Sequence, residues 1–109
     1  MVRSVTSDGD GSRMTVFIES DIDHHNAVKL RAEIDRLIET YKPRELTLDF
    51  DSVEFMDSSG IGLMIGRYKL VNAYGGRLCV ENLNRRCERL TAMSGVLGII
   101  KNKGQVEQQ

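Results

Sequence analysis

Hydrophobic and polar positions change period several times along this chain, and each change marks an element. Leu46-Thr47-Leu48-Asp49-Phe50 alternates, the pattern of a half-buried strand. Beyond Phe55-Met56-Asp57-Ser58-Ser59-Gly60, the residues Ile61, Met64, Ile65, Tyr68 and Val71 recur at helical spacing. Leu63 and Leu70 widen that stripe, so this helix, running to about Ala73, is largely covered by the rest of the protein. Tyr74-Gly75-Gly76 turns the chain into a strand, Arg77-Leu78-Cys79-Val80-Glu81. Leu83, Cys87 and Leu90 mark a short amphipathic helix ending near Gly95, and Ile99-Ile100 reads as a last short strand. Residues 101–109 are polar and are expected to fray.

Upstream, residues 2–6 form a short strand, and the cluster Asp8-Gly9-Asp10-Gly11-Ser12 predicts a hairpin turn, so residues 1–12 are an N-terminal strand and turn. Met14-Thr15-Val16-Phe17-Ile18-Glu19 is the second strand, and Phe17 blurs its alternation, as if both faces were partly covered. Ala27, Leu30, Ile34, Leu37, Ile38 and Tyr41 define one face of a helix that Pro43 stops, with Asp23 as its N-cap candidate. The order strand-strand-helix-strand-helix-strand-helix-strand implies right-handed crossovers. The predicted fold class is α/β: one small domain over residues 1–109, with a mixed, mostly parallel sheet of about four to five strands. Three helices leave one sheet face poorly covered.

Composition narrows the function. The 109 residues are 40% hydrophobic and 28% charged with a net charge of −1, as in a soluble globular protein. No basic stripe is present, which argues against nucleic acid as a partner. No apolar run approaches the roughly 20 residues of a membrane span, and the polar start lacks the apolar core of a signal peptide. Cys79 and Cys87 sit in apolar patterns and read as small core residues in a reducing cytoplasm.

The chemistry concentrates at Asp57-Ser58-Ser59-Gly60. Asp57, Ser58 and Ser59 are all helix-capping residue types, and which of them caps stays open at this point. A helix N-terminus carries unpaired amide donors and partial positive charge, so a serine there is well placed to hold a phosphate. Gly60-x-Gly62-x-x-x-Gly66, with Glu81 ending the next strand, approaches a dinucleotide-binding fingerprint, although the glycine spacing is one residue too long. Glycines facing a neighbouring element explain it more simply; a small nucleotide-binding protein using the Gly60–Gly66 loop is the alternative of a different class. No G-x-x-x-x-G-K-[ST] occurs, and only half of a G-x-S-x-G elbow surrounds Ser58. Asp21, Asp23, His24 and His25 could suggest metal, but adjacent histidines at a helix start point in different directions; a cap followed by exposed polar residues is preferred.

Taken with its flanks, Phe55-Met56-Asp57-Ser58-Ser59-Gly60-Ile61-Gly62 followed by Gly66-Arg67-Tyr68-Lys69 resembles the STAS domain (sulfate transporter and anti-sigma antagonist). Asp23-His24-His25, Arg89-Leu90 and Met93-Ser94-Gly95 match as well, so the resemblance runs from about Thr15 to Ile100. It is strongest to the anti-sigma factor antagonists of spore-forming bacteria, and the His-His pair points to the sporulation group rather than the general-stress one. Ser20 departs from the glycine usual there. The resemblance implies helices mainly on one sheet face and a non-enzymatic protein without cofactor. It implies that the unphosphorylated form binds an anti-sigma factor that is also a serine kinase and so frees a sigma factor. Phosphorylation of Ser58 switches this off, and a serine phosphatase reverses it. Asp23, His24, Asp57, Ser59, Gly60, Ile61 and Gly62 are then the expected partner-binding surface. Another partner-switching pathway, such as general stress, is the alternative within the same fold.

Overall fold

The computed structural model describes residues 1–104. Strands β1 (Val2–Ser7) and β2 (Arg13–Ile18) form the opening antiparallel hairpin. Its turn closes with the Asp8 amide donating to the Arg13 carbonyl, and Gly11 supplies a left-handed φ of 77°. Helix α1 (Ala27–Tyr41) ends at Lys42, a left-handed residue whose amide donates to the Ile38 carbonyl, just before Pro43. Then follow β3 (Glu45–Asp49), α2 (Ser58–Ala73), β4 (Arg77–Glu81), α3 (Arg85–Ser94), a single 3-10 turn (Val96–Gly98) and β5 (Lys101–Asn102). The sheet order is β1-β2-β3-β4-β5, and every pair after the hairpin is parallel.

Register explains the two faces. Met14, Leu46 and Leu78 are aligned across β2, β3 and β4, as are Val16, Leu48 and Val80. These residues form one core with Leu30, Ile34 and Ile38 of α1, Leu63, Met64 and Val71 of α2, and Cys87 of α3. The helices therefore feed a single face. On the other face the aligned rows are Thr15-Thr47-Cys79 and Phe17-Asp49-Glu81, mostly polar, with the Arg3 guanidinium 5.3 Å above the Phe17 ring. This accounts for the blurred alternation of β2. Cys79 and Cys87 are both buried thiols, and burial raises the pKa of each.

Two expectations at the C-terminal end change. Ile99-Ile100 is not the last strand: the Ile99 amide closes the 3-10 turn onto the Val96 carbonyl, the Ile100 amide donates to the same carbonyl, and Ile100 plugs the core. Pairing with β4 begins one residue later, so Lys101 and Asn102 are strand rather than frayed tail. The remainder of that expected tail, 105–109, lies outside the described residues. Among the described residues no helix is long and apolar enough to cross a membrane.

Charge is also built into the frame. Arg67 of α2 is 6% exposed, with its Nε 2.7 Å from Asp35 Oδ1 of α1, an ion pair that links the two helices. Burial lowers the Arg67 pKa, the Asp35 charge opposing it. On the open sheet face Glu45 takes Lys103 Nζ at 2.9 Å and Arg77 Nη2 at 2.7 Å. Hydrogen bonds from Lys103 and then Arg77 pull its carboxyl from the usual 4.5 to about 2. Because the folded pKa is the lower one, this contribution is fully present above about pH 4.5 and is lost as pH falls toward about 2. Glu45→Gln is expected to lower stability at neutral pH and to flatten the acid limb in that window. Urea titrations of both proteins across the same pH range check it; parallel acid limbs would contradict it.

Candidate functional site

At the C-terminal end of the parallel strands, the two loops singled out from sequence meet. The Ile22 amide donates to the Phe55 carbonyl at 3.1 Å, and the Asp57 amide donates to the Ile22 carbonyl at 3.1 Å. This short parallel bridge sets the Asp23 loop beside the Asp57-Ser58 loop. Asp21 tightens it: its Oδ1 accepts the Glu54 amide at 2.8 Å and the Phe55 amide at 3.1 Å. From the other side, Asn84 Nδ2 donates to the Glu54 carbonyl at 2.9 Å. The segment leading into α2 is thus pinned on both flanks.

Asp57 is the N-cap of α2, with extended backbone and its Oδ1 accepting the Ser59 amide at 2.7 Å. The structure thereby resolves the capping question: Ser58 is the first helical residue and its hydroxyl is not spent as a cap. Ser58 is exposed, Asp57 and Ser59 are half-buried, and Gly62, one turn above Ser58, is exposed. Phe55, 45% exposed, adds an apolar surface next to them.

Asp23 does cap, one turn ahead of the regular helix. Its Oδ1 accepts the amides of His25 at 2.9 Å and Asn26 at 3.0 Å, while Asn26 Oδ1 accepts the Asp23 amide at 3.0 Å. This is the reciprocal geometry of a capping box, with asparagine in the place of the usual Glu or Gln. The Asn26 amide, and more weakly His25, hold the Asp23 carboxyl below its ordinary pKa, so it is an anion throughout the neutral range. His24 and His25 are exposed, with ring centroids 4.3 Å apart. Ser20 Oγ accepts a hydrogen bond from the Met1 amino group at 2.8 Å, a contact a glycine there would lack.

Asp23, His24, Asp57, Ser58, Ser59 and Gly62 therefore form one surface. Gly60 and Ile61 do not join it. Ile61 is 8% exposed and belongs to the core, and Gly60 is buried against Met56. A Cβ on Gly60 would lie 2.5 Å from Met56 Sδ. The glycine pattern is no phosphate cradle either. The Gly60 amide is spent on the Asp57 carbonyl, and open space surrounds Gly62 and Gly66, so only Gly60 fits the expectation of a glycine facing a neighbour. Glu81, the acid of that pattern, is turned to Asp49; burial and the hydrogen bond to Asp49 raise its pKa.

Sequence reasoning missed Asp21 and Asn84 as anchors of the loop. Asn84 carried a local signal, since a capping residue type precedes Arg85 and its Oδ1 accepts the Cys87 amide at 2.8 Å. Around Ser58 the acids Asp21, Asp23, Glu54 and Asp57 are all at least partly exposed, so the surface is negative.

The family model of the STAS domain matches residues 3–108. The chain is 36% identical over 87 residues to the anti-sigma F factor antagonist of Paenibacillus polymyxa, covering 80% of this chain and 74% of that protein. It is 35% identical over 96 residues to the anti-sigma-B factor antagonist of Bacillus subtilis, covering 84% and 86%. Its fold is similar to the anti-sigma factor antagonist SpoIIAA in its unphosphorylated form, with a TM-score of 0.76 and 24% identity over 91% of this chain and 85% of that one. For the phosphorylated form the TM-score is 0.68, over 91% and 88%. With its five-stranded mixed sheet, its helices on one face and a family match spanning nearly its whole length, this chain belongs to the STAS domain family.

Proposed function

We propose that this protein is an anti-sigma factor antagonist switched by phosphorylation of Ser58. The observation that carries the reading is the position of Ser58: an exposed hydroxyl at the first residue of α2, preceded by Asp57, on a loop pinned from both flanks and bridged to the Asp23 loop. A hydroxyl modified by another protein's active centre has to be exposed, and a rigid presenting loop lowers the entropic cost of docking. The names of the relatives support the same role, one an antagonist of an anti-sigma F factor and one of an anti-sigma-B factor.

The chemistry follows from charge. The unphosphorylated surface, with the carboxyls of Asp23 and Asp57 on the two bridged loops, attracts basic groups of an anti-sigma factor. The partner, a serine kinase, transfers the γ-phosphoryl group of ATP to Ser58 Oγ, releasing ADP and the hydroxyl proton, and so adds about −1.5 to −2 charge at neutral pH. At the positive end of α2 the phosphate is tolerated, and the fold persists. Enclosed in the complex, the phosphate has to be desolvated and lies close to the Asp57 and Asp23 carboxyls of its own surface, a charge in excess of what the partner's basic groups match, and the complex weakens. A serine phosphatase restores the binding form. The protein itself is a regulator in the cytoplasm and performs no catalysis.

Incubation with ATP and the cognate anti-sigma kinase is expected to place one phosphate on Ser58, located by mass spectrometry, and Ser58→Ala to abolish it. Labelling that maps to Ser59, or that persists in Ser58→Ala, would contradict the assignment. Parallel assays with kinases of a sporulation and a general-stress pathway identify which sigma factor the protein serves.

A further inference from the structure

Beside the Ser58 loop, α3 offers a groove of about 760 Å³ lined by Glu54, Arg85, Arg86, Arg89, Leu90 and Met93. Arg86, Arg89, Leu90 and Met93 are spaced i, i+3, i+4, i+7, one stripe on the helix. The opposite side of α3 buries Cys87 and Thr91. Met93 is 79% exposed, the most exposed large hydrophobic side chain among the described residues. The three guanidiniums have no ion-pair partner among the described residues, and the one carboxylate of α3, Glu88, accepts from Asn102 Nδ2 instead.

The placement of two of these cations opposes helix stability. Arg85 and Arg86 occupy the first turn of α3, at the positive end of its macrodipole, where carboxylates are favoured. Residues that break a local rule without a compensating contact mark places where another demand decides the sequence. Here the groove shares a wall with the Ser58 loop: Glu54 lines it, and Asn84, the N-cap of α3, holds the Glu54 carbonyl. The surface is therefore bipolar, acidic around Ser58 and basic with an apolar floor along α3.

We propose that this face of α3 is the second half of the docking footprint and receives a segment of the anti-sigma factor carrying carboxylates and an apolar side chain. The proposal rests on the reading of this chain as an anti-sigma factor antagonist. A partner with the opposite bipolarity docks in one orientation only, which brings its kinase centre to Ser58. The basic half steers the encounter and remains attractive after phosphorylation, whereas the acidic half then carries a phosphate that is costly to desolvate beside its own carboxylates.

The test follows binding of the full chain to the cognate anti-sigma factor at low and high salt. Arg85→Glu/Arg86→Glu is expected to melt at or above the wild-type temperature, because carboxylates suit that end of α3. Its affinity should nevertheless fall about tenfold at low salt, mainly through slower association, and the deficit should shrink at high salt. Met93→Ala, which removes the apolar contact without adding charge, is expected to lose about tenfold at both salt concentrations. Arg44→Glu, at the far end of the sheet, should bind as wild type. Wild-type affinity in both α3 variants overturns the proposal, and so does weak binding accompanied by a lower melting temperature in both. No binding by the wild-type chain overturns the antagonist reading, and the docking proposal with it.

Discussion

Ser58→Asp is expected to lower affinity for the anti-sigma factor by about a hundredfold while leaving unfolding cooperative and stability within about 1 kcal/mol of wild type. Both halves follow from the position of one residue. Ser58 is exposed and does not cap α2, since Asp57 accepts the Ser59 amide. A carboxylate at the first helical position interacts favourably with the macrodipole, so nothing in the fold is lost. On the partner side, the new charge joins Asp23 and Asp57 in a surface that must be desolvated on binding. About 1.4 kcal/mol is tenfold in affinity, so a repulsion of a few kcal/mol is sufficient. Melting curves measured alongside titration calorimetry check the prediction. A variant that is mostly unfolded, or one that binds as wild type, would contradict it.

Gly60→Leu and Gly62→Leu are expected to fail for opposite reasons. The side chain at position 60 would run into Met56, whose Cβ and Cγ both lie 3.1 Å from an added Cβ, in addition to the 2.5 Å contact with Sδ. Met56 is buried and belongs to the bridge to Ile22, so it has little room to yield. The expected cost is about 3 kcal/mol, overpacking at the point where the two loops meet. At position 62 nothing lies within 4 Å of an added Cβ. Gly62→Leu should therefore stay within about 1 kcal/mol of wild-type stability, and a helical glycine replaced by a better helix former can gain some of that back. Its defect should appear as lost partner affinity, because Gly62 lies on the same helix face as Ser58. Urea denaturation and binding, measured on both variants, separate the two roles. Equal destabilisation of the two variants would show that neither glycine answers to a partner.

These two glycines also show how much the sequence disclosed. Their spacing was visible, but not that one is fixed by Met56 and the other by open space, because the distinction depends on what packs against the helix start. Turn chemistry was sufficient for the hairpin, and hydrophobic period for α1 up to Pro43 and for α2, since each helix carries an unbroken pattern and a stop signal. It misplaced the last strand because Ile99-Ile100 is a β-branched pair in a polar neighbourhood, whereas Ile100 is held by a 3-10 turn and packs into the core. Asp23 and Asn26 stand three residues apart in the spacing of a capping box, so that part of the site was legible with asparagine admitted as the reciprocal partner. Asp21 was not. Its amide partners are 33 and 34 residues away in sequence, and no local pattern announces a clamp between loops. The Arg67–Asp35 pair was hidden in the same way: a cation on a helix reads as solvent-facing until the neighbouring helix is in place.

One phosphate on Ser58 is expected to change binding without changing the fold. The measurement that tests it most directly compares enzymatically phosphorylated and unphosphorylated protein from one preparation, by amide hydrogen exchange and by affinity for the anti-sigma factor. Matching protection is expected through the core strands β2, β3 and β4 and through α2, with affinity lower by about a hundredfold in the phosphorylated form. Loss of protection across α2, or equal affinity of the two forms, would contradict it.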